Sequence, residues 1–161
     1  MLDGLTGAQY LHFVGRIHGL APGLIEARAG ELGDLLEVDF RGSARIGEYS
    51  VGMKKKAALC AALLHAPELL FLDEPFEGLD PVGSGTLCAL LQSLRDHGTT
   101  ILVTSHLLGT AERLCSRFLL LDQGRILAEG AAGEVLREAE NLEQFFLRTV
   151  GRPRAGALSW M

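Results

Sequence analysis

The sequence has few cysteines, and they are not grouped. Cys60, Cys88 and Cys115 are the only three in 161 residues, and none of them lies at the short spacing typical of a metal site or a disulfide framework. We therefore expect the protein to occur in a reducing cytoplasm. All three cysteines are expected to be small side chains that are buried in the core or half-buried.

Long apolar runs and blocks of positive charge are also missing. No apolar stretch reaches the length that spans a bilayer, and no basic segment followed by an apolar one opens the chain, so neither a membrane span nor a secretory signal is expected. The formal net charge is −5, and Lys54, Lys55 and Lys56 form the only run of cations. Three cations are too few to follow a phosphate backbone, so nucleic acid is not an expected partner. The length and the hydrophobic fraction of 48% favour one globular domain with a sizeable core.

The most informative stretch is residues 67–81. Four apolar residues, Leu69 to Leu72, lead directly into Asp73 and Glu74, and Pro75 ends the run. Such a run predicts a strand buried on both faces of a parallel sheet. Because buried charge is costly, the two acids are expected at the carboxyl end of the strand, where α/β sheets form their ligand crevice. There an Asp can hold Mg²⁺ and a Glu can polarise a water, the alternative being a core strand that ends in a solvated acidic turn.

A second strand is expected at residues 99–104, because this segment is rich in β-branched residues. Between the two strands, Asp80 is a suitable N-cap and Pro81 a suitable first residue for a helix that ends near Asp96. A β–α–β unit implies parallel pairing, so Asp73, Glu74 and His106 are expected at one edge of the sheet. Two carboxylates and an imidazole there could hold a metal-bound phosphate and its attacking water.

A helix is also predicted from Ser50, as N-cap, to Leu64. The unpaired N–H groups and the dipole of a helix N-terminus favour a phosphate, and Gly52 has no side chain to obstruct its approach. A capped helix without a ligand is the alternative.

Residues 21–23 are expected to form a turn and residues 38–48 a polar connection. The remaining elements are expected as helices at 6–18, 24–37, 107–116 and 134–150, with two strands over 118–130 and no pattern after 151.

Four of these stretches occur in an order that resembles the nucleotide-binding domain of ATP-binding cassette transporters. They are Tyr-Ser-Val-Gly-Met at 49–53, Leu-Leu-Phe-Leu-Asp-Glu-Pro at 69–75, Gly-Leu-Asp-Pro at 78–81 and Thr-Ser-His at 104–106. The resemblance extends from about Leu2 to about Gly151 and is greatest to the drug- or polysaccharide-exporter branch, whose signature often reads Tyr-Ser-x-Gly-Met. It implies an α/β fold of the P-loop NTPase class, with a parallel sheet core and a helical subdomain that carries the signature.

The resemblance also implies roles for single residues. Asp73 matches the Walker B aspartate, which serves Mg²⁺, and Glu74 matches the catalytic base that acts on water. His106 matches the switch histidine that contacts the γ-phosphate. Asp80 matches the D-loop aspartate, which helps to join two cassettes.

Ser50, Val51 and Gly52 match the signature residues that clamp the γ-phosphate of an ATP held by the opposite cassette. Val51 replaces a commoner Gly, Met53 a commoner Gln, and Lys56 a commoner Arg. These departures are typical of the exporter branch.

One motif of the family is missing from the sequence. No Gly-x-x-x-x-Gly-Lys-Ser/Thr loop (the Walker A motif) occurs, and no Gln loop precedes the stretch that matches Leu2 to Thr6. The resemblance therefore implies an incomplete fold, the C-terminal two-thirds of a truncated cassette. The phosphates of ATP would lose most of their charge-assisted hydrogen bonds, and the sheet would keep an exposed edge and an uncovered face. We expect the chain by itself to bind ATP poorly and to self-associate.

The expected organisation is a helical subdomain with the signature (1–66), an α/β core (67–130) and a C-terminal helical extension and tail (131–161).

The expected function is that of an ATP-hydrolysing exporter subunit that uses ATP and Mg²⁺. It would work with a transmembrane permease and a second nucleotide-binding domain at the inner face of the cell membrane. A non-catalytic partner cassette is one alternative, although Glu74 and His106 argue against it. A soluble, non-transport member of the superfamily is another, although the sequence has no heptads. The cargo cannot be read from the sequence, because membrane domains would select it.

Overall fold

The computed structural model of the chain describes residues 2–137 and 139–151; the predicted patternless tail at 152–161 lies outside them. The chain divides into two compact units, with the boundary between Thr104 and Ser105. The elements of the first unit are α1 (Gly7–Ile17), α2 (Pro22–Leu36), a 3₁₀ turn (Ile46–Glu48), α3 (Val51–Leu63), β1 (Leu69–Asp73), α4 (Pro81–Asp96) and β2 (Thr100–Thr104). Those of the second unit are α5 (Leu108–Leu114), β3 (Arg117–Asp122), β4 (Arg125–Ala131), α6 (Ala132–Val135) and α7 (Leu142–Val150).

The first helix begins at the capping box that the sequence predicts. The Thr6 hydroxyl accepts a hydrogen bond from the Gln9 N–H (3.3 Å), and the Gln9 side chain accepts one from the Thr6 N–H (3.0 Å). The predicted turn at residues 21–23 is wrong, because α2 already begins at Pro22. Proline suits the first position of a helix, where its fixed φ is helical and its missing N–H would have no partner.

Helices α1, α2 and α3 pack on one another around a small apolar core. Leu11, Ile25 and Leu64 are almost completely buried there. A Cβ added to Gly15 would lie 2.6 Å from a side-chain atom of Ile25, so the glycine allows α1 and α2 to approach closely. Burial raises the pKa of the Cys60 thiol to about 12, so this cysteine is an inert core residue, as expected.

The connection after α2 is less polar than the sequence suggests. Val38, Phe40 and Ile46 are buried, and they pack the connection against the helices. The Val38 N–H donates to the carbonyl of Gly33, which closes the end of α2.

Two glycines of α2 provide a matched test of this packing. A Cβ at Gly33 would lie 2.7 Å from the Val38 carbonyl oxygen, whereas a Cβ at Gly30 would meet nothing within 4 Å. We expect Gly33→Ala to lower the free energy of unfolding by roughly 1–3 kcal/mol, because the backbone must shift to remove the overlap. Gly30→Ala should raise it by roughly 0.5–1 kcal/mol, because alanine is the better helix former. Urea denaturation of both variants measures the difference, and equal effects would contradict this account of the close approach.

Strands β1 and β2 form a parallel pair, as predicted, with a register that runs from Leu69 opposite Thr100 to Asp73 opposite Thr104. Leu70 is buried on one face of the sheet, and α4 contacts β2. On the other face the side chains of Leu69, Phe71 and Leu102 are exposed by 52%, 67% and 55%. The prediction of a strand buried on both faces is therefore wrong: among the described residues nothing covers this face, and the sheet has two strands only. The resemblance implies an uncovered face of the sheet without indicating which face it is.

Within its described residues, the second unit contains an antiparallel hairpin and three helices. Strands β3 and β4 pair from Arg117 opposite Ala131 to Asp122 opposite Arg125, and their turn places Gln123 and Gly124 at positive φ. Helix α5 packs on α7. The Glu112 carboxylate accepts a hydrogen bond from the Leu142 N–H (2.7 Å), so an α5 side chain helps to cap α7.

Candidate functional site

The two predicted acids lie where β1 ends. Asp73 is the last residue of the strand, with Thr104 directly opposite it on β2. The Thr104 hydroxyl donates a hydrogen bond to the Asp73 carboxylate. Asp73 is nevertheless exposed, whereas Glu74 is half-buried. The structure therefore places one accessible, oriented carboxylate and one partly desolvated carboxyl side chain in consecutive positions at the edge of the sheet.

The backbone of Glu74 adopts a left-handed conformation, with φ at +43°. Its N–H donates to both the Thr104 carbonyl oxygen (3.1 Å) and the Thr104 hydroxyl oxygen (3.2 Å). A left-handed conformation costs a residue other than glycine about 1–3 kcal/mol, and such residues cluster at functional sites. The conformation takes the chain out of the strand immediately after Asp73.

Lys55, which lies on α3, contacts the loop that follows Glu74. Its Nζ donates to the carbonyl oxygen of Glu77 (2.8 Å), to the Glu77 carboxylate (3.0 Å) and, at 3.4 Å, to the carbonyl oxygen of Glu74. The sequence pattern indicates no role for Lys55, and Thr104 enters it only as part of the Thr-Ser-His stretch at 104–106. Lysines in a run look like solvated charge, and the partner of a strand residue is known only once the register is known.

The N-terminus of α3 is capped as predicted. The Ser50 hydroxyl accepts a hydrogen bond from the Met53 N–H (3.2 Å), and Val51 is exposed. A Cβ at Gly52 would lie 3.6 Å from the Gly78 carbonyl oxygen, so this turn of the helix lies beside the loop that leads to Asp80. The structure thus brings the signature stretch and the loop after the acids together within the first unit.

Asp80 is the N-cap of α4, as predicted. Its carboxylate accepts a hydrogen bond from the Gly83 N–H (2.8 Å), and this bond lowers the pKa of Asp80. The cap explains the residue locally, while its role between two cassettes stays a prediction. His106 is exposed and follows β2 in the second unit, so its predicted meeting with Asp73 and Glu74 also stays a prediction.

The chemistry of these residues fits a magnesium nucleotide. Mg²⁺ is usually held by one or two carboxylates and completed by water and phosphate oxygens, and the exposed, hydrogen-bonded Asp73 is a carboxylate that could serve as such a ligand. No group of three or more His, Cys, Asp or Glu side chains able to hold a metal occurs among the described residues, so a metal site made of protein ligands alone is not found there. The exposed N-terminus of α3 offers N–H donors to a phosphate.

Within the described part of the chain, no helix has the length and apolar character needed to cross a membrane.

Comparison with known proteins identifies the family. A solved structure described as "Structure of ATP binding subunit of ABC transporter" matches 93% of this chain and 64% of its own, with a TM-score of 0.86 and 30% identity. The daunorubicin resistance ATP-binding protein DrrA3 of Streptomyces coeruleorubidus is 40% identical over 84% of this chain. The chain belongs to the ATP-binding cassette family. Its α/β P-loop NTPase fold is thereby confirmed.

A second curated relative is also an ATP-binding protein by its name. The Nod factor export ATP-binding protein I of Burkholderia lata is 39% identical over 78% of this chain. Residues 19–111 also match the family model described as "AAA domain, putative AbiEii toxin, Type IV TA system". The chain spans less than half the length of its curated relatives, 43% of DrrA3 and 41% of the Nod factor export protein.

Proposed function

We propose that this chain supplies the hydrolytic acids and the signature helix of an ATP-hydrolysing exporter subunit. The observation that carries the proposal is the pair Asp73 and Glu74 at the end of β1, held by Thr104. Membership of the cassette family makes ATP, with Mg²⁺, the substrate that fits this pair. The names of the curated relatives, which include drug resistance and Nod factor export, favour an exporter over an importer.

In this proposal each site residue has a defined task. Asp73 binds Mg²⁺ directly or through a water, and Glu74 orients and activates the attacking water. His106 contacts the γ-phosphate. Ser50 and the backbone N–H groups of Val51 and Gly52 bind the γ-phosphate of a nucleotide held by a second nucleotide-binding domain. Asp80, besides capping α4, helps to join the two domains.

The proposed partners follow from the same family assignment. A second nucleotide-binding domain completes the site at α3. Hydrolysis drives a conformational change in a transmembrane permease. Because the chain binds this permease, it lies at the cytoplasmic face of the cell membrane. No Gly-Lys-Ser or Gly-Lys-Thr occurs in the 161 residues, so the α- and β-phosphates are bound by residues outside them.

The test is to isolate the protein from membranes of its source cells through an affinity tag. We expect a multi-span membrane protein to co-purify in stoichiometric amount and the complex to hydrolyse ATP only when Mg²⁺ is present. Recovery from the soluble fraction alone, without a membrane protein and without ATP hydrolysis, would refute the proposal. A membrane complex whose ATP hydrolysis does not respond to substitution of Glu74 would favour the non-catalytic partner cassette instead. The intact mass of the purified chain, compared with 17.3 kDa, shows whether residues beyond these 161 belong to the same polypeptide.

A further inference from the structure

The backbone of Glu74 is bound from two directions. Its N–H donates to the carbonyl and hydroxyl oxygens of Thr104, and its carbonyl oxygen accepts from Lys55. The residue between these contacts has a positive φ. Such a conformation persists only where the surrounding structure holds it, and here the contacts that hold it come from β2 and α3.

We propose that Thr104 and Lys55 are positioning residues that hold Glu74 for hydrolysis and connect it to the signature helix. This proposal rests on the proposed function, in which Glu74 activates the attacking water. Neither residue is assigned to bind the nucleotide: Lys55 acts through Glu74, and Thr104 acts through Glu74 and Asp73.

The case for Thr104 is that one hydroxyl serves both acids. It donates to the Asp73 carboxylate and accepts from the Glu74 N–H, so it sets where the Mg²⁺ ligand lies relative to the catalytic base. Valine has nearly the same shape but neither donates nor accepts. Thr104→Val would therefore remove both hydroxyl contacts, while keeping the strand and the hydrogen bond from the Glu74 N–H to the carbonyl oxygen of residue 104.

The case for Lys55 is its position. It lies three residues after Gly52 on α3, and its ammonium group, which has three N–H donors, has three acceptors on the loop at Glu74 and Glu77. The Glu77 carboxylate is 64% exposed, so water screens that ion pair, and the two carbonyl contacts are the more specific part. If α3 shifts when its N-terminus binds a phosphate, the Lys55 side chain would therefore transmit that movement to the Glu74 carbonyl group.

The first experiment measures amide hydrogen exchange in the full chain, which requires no catalytic activity. Thr104→Val should speed exchange of the Glu74 amide roughly tenfold, and Thr104→Ser, which keeps the hydroxyl, should leave it near the wild-type rate. Lys55→Met should speed exchange over residues 74–77, whereas Lys54→Met, the neighbouring lysine, should not. The Thr100 amide, which donates to Glu68 at the other end of the strand pair, is the internal reference for general loosening.

The second experiment measures ATP hydrolysis by the isolated complex. Thr104→Val should lower kcat roughly tenfold or more with KM for ATP little changed, and Thr104→Ser should restore kcat. Adding Thr104→Val to Glu74→Gln should lower kcat by less than Thr104→Val does alone, because part of the effect of the hydroxyl passes through Glu74.

The two experiments separate the possible failures. Unchanged exchange at Glu74 in both Thr104→Val and Lys55→Met would overturn the positioning proposal, as would equal acceleration of the Thr100 reference. If exchange responds but Thr104→Val leaves kcat unchanged in an active complex, the positioning proposal is also overturned. If the wild-type complex shows no hydrolysis, the proposed function fails, and the exchange result alone decides whether these residues hold Glu74.

Discussion

Replacing Glu74 with glutamine should lower the ATP hydrolysis rate of the isolated complex by roughly 100-fold or more, which is the range expected for loss of a general base. Glutamine keeps the size and polarity of the side chain but cannot accept a proton from water. Because Asp73 and the signature helix remain, we expect Mg²⁺-dependent ATP binding to persist. The measurement is a steady-state ATPase assay with a parallel nucleotide-binding assay on the same preparation.

Glu68→Gln is the matched control for this substitution. Glu68 is exposed and precedes the amino end of β1, so the substitution removes the same charge from the opposite end of the strand. Its ATPase rate should stay within about twofold of wild type, since exposed substitutions away from special features have small effects. Equal rates in the Glu74 and Glu68 variants would show that Glu74 is not the base.

Replacing Leu91 with alanine should lower the free energy of unfolding by about 2–5 kcal/mol, the cost of truncating a fully buried leucine. Leu91 lies on α4 with 0% of its surface exposed, and α4 contacts β2. The cavity left behind would weaken the helix that supports the strand pair and, through it, the site at Thr104. Urea denaturation followed by circular dichroism gives the change.

Val82→Ala, on the same helix, is the control for Leu91→Ala. Val82 is 73% exposed, and alanine is the better helix former. Val82→Ala should therefore leave the free energy of unfolding unchanged or raise it slightly. Similar losses in the two variants would mean that α4 is not held by its buried face.

Local features of the site could be predicted from the sequence. Ser50 and Asp80 are helix caps because their side chains bond to N–H groups three residues away, and Thr6 and Gln9 form their capping box over the same distance. The order of strand, helix and strand likewise follows from apolar runs and turn residues. These interactions need only a few neighbouring residues, so the sequence pattern is sufficient.

Other features needed contacts between distant residues. The parallel pairing was predicted, but only the register shows that Thr104 lies opposite Asp73, thirty-one residues earlier in the chain. The positive φ of Glu74 depends on that register, and the role of Lys55 depends on how α3 packs beside the loop. The exposure of Phe71 could not be predicted from the sequence either, because an apolar run does not show which face of its strand is covered by other elements.

The sequence by itself therefore determined the kinds of elements, their caps, and the identity of the two acids at the end of β1. The tertiary structure decided how those acids are held: by a hydroxyl from β2 and an ammonium group from α3. The physical reason is that capping and strand propensity act over a few residues. Hydrogen bonds across a sheet or between a helix and a loop form only after chain segments some twenty to thirty residues apart have packed together.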